Sequence, residues 1–352
     1  MIAYGQYFDI SGEEELMTSK DFAKLIGVSQ TAVSRALNNS NLISEDKRLY
    51  IIQKAKEYGF VLNAQAKSLR TQRTGTIGIL FPRQFEDMCT NMMLTHVYDC
   101  IQKEMYNYGY DIMVVYYQSE GEDFSSFERI IRTRKVDGFL ILRMELFDHE
   151  LELIESTQIP CVFMMNADTK VRPNVNYLFS DSEWGGYEAG RYLGRFPEYR
   201  QMFVGVQKAR EDGDLSLNGY RRGLAEQGVQ LCEEDILRCD MSIDSARECI
   251  RQNRHLLDGQ KVAIFAYNDI LSIGIIQACQ ELGYDIPGQV QILGMSDIPL
   301  AQQLRPALST VHINVEDMVP RCCKLLVDLI DKNDVKVQEW LLPSLVIRET
   351  TL

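Results

Sequence analysis

The chain has 352 residues, 45% of them apolar and 25% charged, and a formal net charge of −13. That length exceeds one ordinary hydrophobic core, so two or three domains are expected, and the composition is that of a globular protein rather than a disordered or fibrous one. No run approaches the roughly 18 apolar residues of a membrane helix, and the first residues do not read as a secretory signal. A cytoplasmic chain with no membrane partner is expected. The nine cysteines are scattered with no CxxC pair, which fits free thiols acting as small buried residues in a reducing compartment. Adjacent Cys322 and Cys323 would point to different sides of a helix.

Residues 1–16, MIAYGQYFDISGEEEL, fit neither of the domains that follow. They are expected either to precede a natural translation start at Met17 or to form a disordered arm.

From Thr18 to Gly75 the chain turns basic. Ten Lys/Arg face four Asp/Glu there, a local +6 that leaves −19 on the rest. A basic module on an acidic body is the electrostatic footprint of a chain that meets polyanions through one part only. Thr18 caps a first short helix, with Asp21 three residues on and Phe22, Leu25 and Ile26 as its apolar face. Gly27 permits a tight turn, and Ser29 caps a second helix. There Ala32, Val33, Ala36 and Leu37 point inward, while Gln30, Thr31, Ser34, Arg35 and Asn38 point out. Ser44 caps a third helix, with Leu49, Ile51, Ile52, Ala55 and Tyr58 as apolar contacts and Gly59 as its end. Three short helices with a glycine turn between the first two describe a helix-turn-helix. The outward face of the second suits a major groove: Arg35 forks onto guanine, Gln30 onto adenine, and Thr31 or Ser34 reaches a phosphate or a thymine methyl.

These residues, KDFAKLIGVSQTAVSRALNNSNLISEDKRLYIIQKAKEYGF, resemble the helix-turn-helix of the LacI/GalR family of transcription regulators. The resemblance implies that Gln30 and Thr31 set operator preference and that Arg35 reads a base. It also implies that Thr18, Ser29, Ser34, Asn38 and Ser44 contact bases or phosphates. Asn63-Ala-Gln-Ala-Lys-Ser-Leu-Arg70 is similar to the family's hinge helix, which implies DNA contacts by Asn63, Lys67 and Arg70 and a minor-groove wedge by Leu69. Leu62 stands where the family usually has proline, so the hinge loses a rigid entry into its helix. The expected boundaries are 17–62 for the helix-turn-helix domain, 63–74 for hinge and linker, and 75–352 for the core.

Along the core, short apolar runs at 75–82, 110–116, 136–142 and 160–165 alternate with helical stretches such as 97–108. The pattern restarts with a helix at 184–196, a strand at 201–206, a helical stretch at 219–227 and strands at 263–266 and 291–294. Two doubly wound parallel α/β subdomains enclosing a cleft are expected. This part resembles the family's periplasmic-binding-protein-like effector core, through AYNDILSIG at 266–274, GYDIP at 283–287, LSTV at 308–311 and LPSLVIRET at 342–350. By resemblance, Asn166, Ser216 and Ser296 occupy pocket positions where relatives often carry Arg, Arg and Asp. Asn268 keeps the family residue, and Met93, Trp184 and Met241 fall near other pocket positions. The pocket reads either as a site for a ligand less polar than a hexose, a carbohydrate or related metabolite, or as a degenerate site in a regulator governed by a protein partner.

No GxSxG, P-loop or GxGxxG occurs, and the four histidines (96, 149, 255, 312) lack metal-ligand spacing. No cofactor, metal or catalytic residue is expected, and the chain is not expected to be an enzyme. One helix-turn-helix reads only a few base pairs, so a homodimer on a pseudo-palindromic double-stranded DNA operator is expected.

Overall fold

The computed structural model describes residues 17–37, 42–61, 73–81, 92–115, 126–142, 148–165, 175–207 and 211–352. The chain divides into two compact units, Met1–Gly75 and Thr76–Leu352.

In the first unit Thr18 opens α1 (Ser19–Leu25) by accepting a hydrogen bond from the Asp21 amide at 3.2 Å. Gly27, at φ +70°, makes the turn. Ser29 then accepts from the Ala32 amide at 3.1 Å, capping α2 (Gln30–Leu37). Ser44 occupies the N-cap position of α3 (Glu45–Glu57), but its side chain makes no capping bond. Phe22, Ala23, Ile26, Val33, Ala36, Ile51, Ala55 and Phe60 form one core, in which Phe22 and Phe60 stack with centroids 4.2 Å apart. Leu25, Leu49 and Tyr58, expected as apolar contacts, are exposed instead. These eight apolar groups, with the stacked Phe22 and Phe60 among them, already fill the space between three short helices.

The second unit contains two six-stranded sheets. In chain order its elements begin with β1 (Thr76–Leu80), α4 (Met92–Asn107), β2 (Asp111–Val115), α5 (Ser126–Arg132), β3 (Gly138–Ile141), α6 (Asp148–Thr157), β4 (Cys161–Met165) and β5 (Asn176–Ser180). They continue with α7 (Ser182–Leu193), β6 (Arg200–Val206), α8 (Glu211–Glu226), β7 (Ile236–Cys239), α9 (Ile243–Gln252), β8 (Val262–Ala266), α10 (Asp269–Leu282) and β9 (Val290–Ser296). The last are β10 (Ser309–His312), α11 (Val315–Ile330), β11 (Gln338–Leu341) and β12 (Ser344–Val346). One sheet has the order β11-β5-β4-β3-β1-β2 and the other β12-β10-β9-β8-β6-β7. All pairings are parallel except β12 against β10. Parallel strands buried on both faces read as unbroken apolar runs, and β4 (CVFMM) and β8 (VAIFA) are buried throughout.

The chain passes between the sheets three times: after β5, after β10, and between β11 and β12. The crossings are tied to one another. The Asp181 amide donates to the Leu341 carbonyl at 3.0 Å, and Asn314 Nδ2 to the Leu342 carbonyl at 3.3 Å. Cys322 and Cys323 are both fully buried, because α11 packs on α4 at one side and on β3, β4 and β5 at the other. Tyr106 is exposed in the last turn of α4.

The α7–α8 contact is the closest helix pairing in the second unit. A Cβ at Gly186 would overlap the Ser216 carbonyl oxygen, and one at Gly219 the Glu183 carbonyl oxygen. In an isolated helix Gly→Ala stabilises by about 1 kcal/mol. Here Gly186→Ala is expected to destabilise the core by about 1–3 kcal/mol through overpacking, read as a lower urea midpoint; a raised midpoint would mean the helices can part without cost.

Candidate functional site

In the first unit the outward face of α2 carries Gln30, Thr31 and Arg35, all exposed, with Ser34 half-buried beside them. Gln30 Nε2 donates to Ser19 Oγ at 2.9 Å, so Ser19 holds the Gln30 amide at the start of the helix. This positioning partner lies eleven residues away on α1, and helix periodicity alone gives no signal for it. Tyr50 of α3 donates to the Ile26 carbonyl at 3.3 Å, which braces the turn that aims α2. Asn38, Asn63, Lys67, Leu69 and Arg70 lie outside the described residues, as do the Leu62 departure, residues 1–16 and the 63–72 part of the hinge.

In the second unit the carboxyl ends of the strands carry unusual backbone. Met165, ending β4, has φ +85°; Ser296, ending β9, has φ +130°, and Asp297 follows at +55°. Non-glycine residues held there cost of order 1–3 kcal/mol each and cluster where a strand end must present a group to a ligand. The ends of parallel strands at a crevice are also where open α/β sheets place their sites.

A small pocket of about 40 Å³ lies at the end of β9, at the crevice where the strand ends meet. Met93, Met241, Asn268 and Ser296 line it together with Asp269, Ile270 and Ile298. Four of the seven residues singled out in the sequence therefore meet, drawn from α4, the β7–α9 connection, the cap of α10 and the end of β9. Met93 packs against the apolar clusters of both subdomains. Trp184, in the first turn of α7 with its ring 5.2 Å from that of Tyr187, is not among the lining residues. Neither is Ser216, which is fully buried where α7 and α8 touch. Asn166 lies outside the described residues.

Asn268 is committed at one end: its Oδ1 accepts from the Leu271 amide at 2.9 Å and caps α10. Asp269, which pattern reading did not single out, is fully buried beneath it. Thr310 Oγ1 donates to Asp269 Oδ1 at 2.6 Å, and the Ile298 amide to Oδ2 at 2.9 Å. Gly294 leaves the room: a Cβ there would overlap Asp269 Oδ1. Burial raises the Asp269 carboxyl to about 7, against the opposing pull of those two donors.

A second constellation joins the pocket to the crossings. His96 Nε2 of α4 lies 3.0 Å from Glu316 Oε1 in the first turn of α11. Glu316 Oε2 lies 3.8 Å from His312 Nε2, and His312 Nδ1 lies 3.0 Å from Asp297 Oδ2. Arg348 Nη2 closes the chain on Asp297 Oδ1 at 2.7 Å. Burial works to raise the Glu316 carboxyl, but its own backbone amide and the two imidazoles outweigh that and lower it. Two histidines with no common spacing in sequence thus share one carboxylate. Among the described residues no group of His, Cys, Asp and Glu is arranged to hold a metal, and no helix is long and apolar enough to cross a membrane.

A three-helix helix-turn-helix unit followed by a two-lobed α/β core defines a class of protein, the DNA-binding transcription regulator. Residues 18–63 match the bacterial regulatory protein, lacI family, model, and residues 199–351 match the periplasmic binding protein-like domain model. The chain is 25% identical over 338 residues to the HTH-type transcriptional repressor PurR of Mannheimia succiniciproducens, covering 95% of this chain and 98% of that one. It is 26% identical over 337 residues to PurR of Vibrio vulnificus, with the same coverage. The fold is shared with the lac repressor dimer bound to operator and the anti-inducer ONPF (TM-score 0.76, 20% identity, 95% of this chain and 99% of that one). It is also shared with the transcriptional regulator CelR in complex with cellobiose (TM-score 0.69, 22% identity, the same coverage). The chain belongs to the LacI/GalR family of DNA-binding transcription regulators.

The Asp269 carboxyl makes a pH-dependent contribution to core stability. Between its ordinary 3.8 and about 7 the folded chain holds a proton that the unfolded chain has released. Stability from this group therefore falls as pH rises through that window, by at most about 1.4 kcal/mol per pH unit. Urea unfolding of Asp269→Asn is expected to show a shallower pH slope than the wild type, by the equivalent of about one proton. Parallel slopes would place the carboxyl in its ionised form throughout.

Proposed function

We propose that this protein is a transcriptional repressor that binds a pseudo-palindromic operator as a homodimer and is controlled by a small molecule held in the cleft of its core. What carries the reading is the exposed α2 face, Gln30, Thr31 and Arg35 on a locally basic unit, together with a pocket that gathers Asn268, Ser296, Met93 and Met241. In this reading Arg35 forks onto guanine, and Gln30 and Thr31 distinguish the site from those of relatives. Thr18, Ser29, Ser34, Asn38 and Ser44 complete the base and phosphate contacts. Asn63, Lys67 and Arg70 hold the hinge on the phosphates, and Leu69 wedges a minor-groove step.

The ligand is an uncharged or weakly polar metabolite, carbohydrate or related. Asn268 Nδ2 and the Ser296 hydroxyl orient it, and Met93, Met241 and Ile298 cover it. It acts only through a difference in affinity between two settings of the lobes. Met93 carries that difference, because it sits on a helix of one lobe and reaches the pocket of the other. Trp184 and Ser216 act from α7 and α8 through the packing of those helices. The dimer follows from the two-fold geometry a helix-turn-helix requires of its operator, and the absence of a nucleophile or cofactor motif in the sequence supports a regulator over an enzyme.

In a mobility-shift titration with DNA from upstream of its own gene, Arg35→Ala is expected to weaken binding by about 1–3 kcal/mol and to relax preference at one base pair of each half-site. An equal loss on random DNA would mean that Arg35 contacts only the backbone.

A further inference from the structure

Cys239 ends β7, an edge strand of its sheet, and Cys249 lies on α9. Both are free thiols. Ser245 and Cys249 are four residues apart and so share one face of α9; that face meets the end of β7. There Cys239 faces Cys249 and Ser245, and the two cysteines pack into one apolar cluster. Ser245 Oγ also accepts from the Asp240 amide at 3.0 Å, and the Ser242 amide donates to the Asp240 carbonyl at 2.8 Å. The two thiols therefore close the short 239–249 segment, which includes Met241, a residue that lines the pocket.

The two sulfurs differ in access. Cys239 is buried and Cys249 half-buried. The better access of Cys249, whose thiol the neighbouring Cys239 also lowers, makes Cys249 the nucleophile and Cys239 the thiol behind it.

We propose that Cys239 and Cys249 form a peroxide-oxidisable dithiol whose disulfide fixes the Met241 segment of the pocket. The Cys249 thiolate attacks one oxygen of hydrogen peroxide. The O–O bond breaks, and the departing hydroxide takes up the proton that the thiol released, giving water and a sulfenic acid. Cys239 Sγ then attacks Cys249 Sγ as its own proton leaves. The S–O bond breaks, and that hydroxide and proton give a second water. Two thiols lose two electrons and one peroxide gains them. In a reducing compartment such a bond is transient and reversible by dithiol exchange. The chemistry is independent of what the pocket binds.

The full-length protein is treated with hydrogen peroxide and mapped by mass spectrometry without reduction, with Cys232 as the internal comparison because it is exposed. The expected product is a linked Cys239–Cys249 peptide pair, lighter by two hydrogens and restored by dithiothreitol, formed before Cys232 is modified. In Cys239→Ser the sulfenic acid is expected to persist on Cys249 and be trapped by dimedone, whereas Cys249→Ser gives neither product. Oxidation of Cys232 first, with 239 and 249 unlinked, would overturn the proposal and would be read on the wild type even if a variant failed to fold. Hydrogen exchange of the 240–248 amides is expected to slow in the oxidised protein, and unchanged exchange would overturn the restraint on the pocket.

Discussion

The cleft of this core is organised by one buried carboxylate. Asp269 receives Thr310 Oγ1 from β10 on one oxygen and the Ile298 amide from the segment after β9 on the other. It also begins α10, whose cap is Asn268. A single side chain thus fixes three elements at the point where the pocket forms. The positive-φ residues Ser296 and Asp297 lie on the strand end that Asp269 anchors through Ile298. A short positive-φ turn of this kind persists only where its surroundings over-determine it, and the buried acceptor supplies that constraint.

From Asp297 the structure leads outward. Arg348 and His312 hold its two oxygens, His312 faces Glu316, and Glu316 faces His96 on a helix of the other lobe. Ser296 and Ile298 line the pocket on either side of Asp297. A ligand that shifts this strand end therefore acts on a continuous set of charged contacts reaching α4, and α4 also supplies Met93. Coupling between a site and a distant element needs such a path with two settings, and the three interlobe crossings are where the path runs.

The helix-turn-helix was legible in sequence because its signals are local. Thr18 and Ser29 are caps within three residues of the amides they bind, and Gly27 makes the turn between helices. The burial of Leu25, Leu49 and Tyr58 was misjudged because three short helices offer fewer inward positions than their apolar residues could fill. The doubly wound core was legible from its apolar runs, but β5, β7, β10, β11 and β12 were not, since runs such as ILRC and QEWL mix apolar with polar residues and β11 pairs with a strand remote in sequence. The pocket was half legible. Asn268, Ser296, Met93 and Met241 came from resemblance, whereas Ser216 is buried between helices whose approach depends on glycines in both. Asp269 and the His96–Glu316 contact depend on partners dozens to hundreds of residues away, which no spacing rule reveals, and Cys239 meets Cys249 only because α9 folds back on the end of β7.

The acidity of the whole chain and the basicity of its first unit are two aspects of one arrangement. Excess negative charge on the core opposes adhesion of that body to DNA, so recognition is left to the basic unit. The most direct test of this account is a nuclease footprint of the full-length protein on DNA flanking its gene. The account predicts a two-fold symmetric protected site with half-sites about one helical turn apart, or a multiple of it. Uniform protection that does not depend on sequence would contradict it.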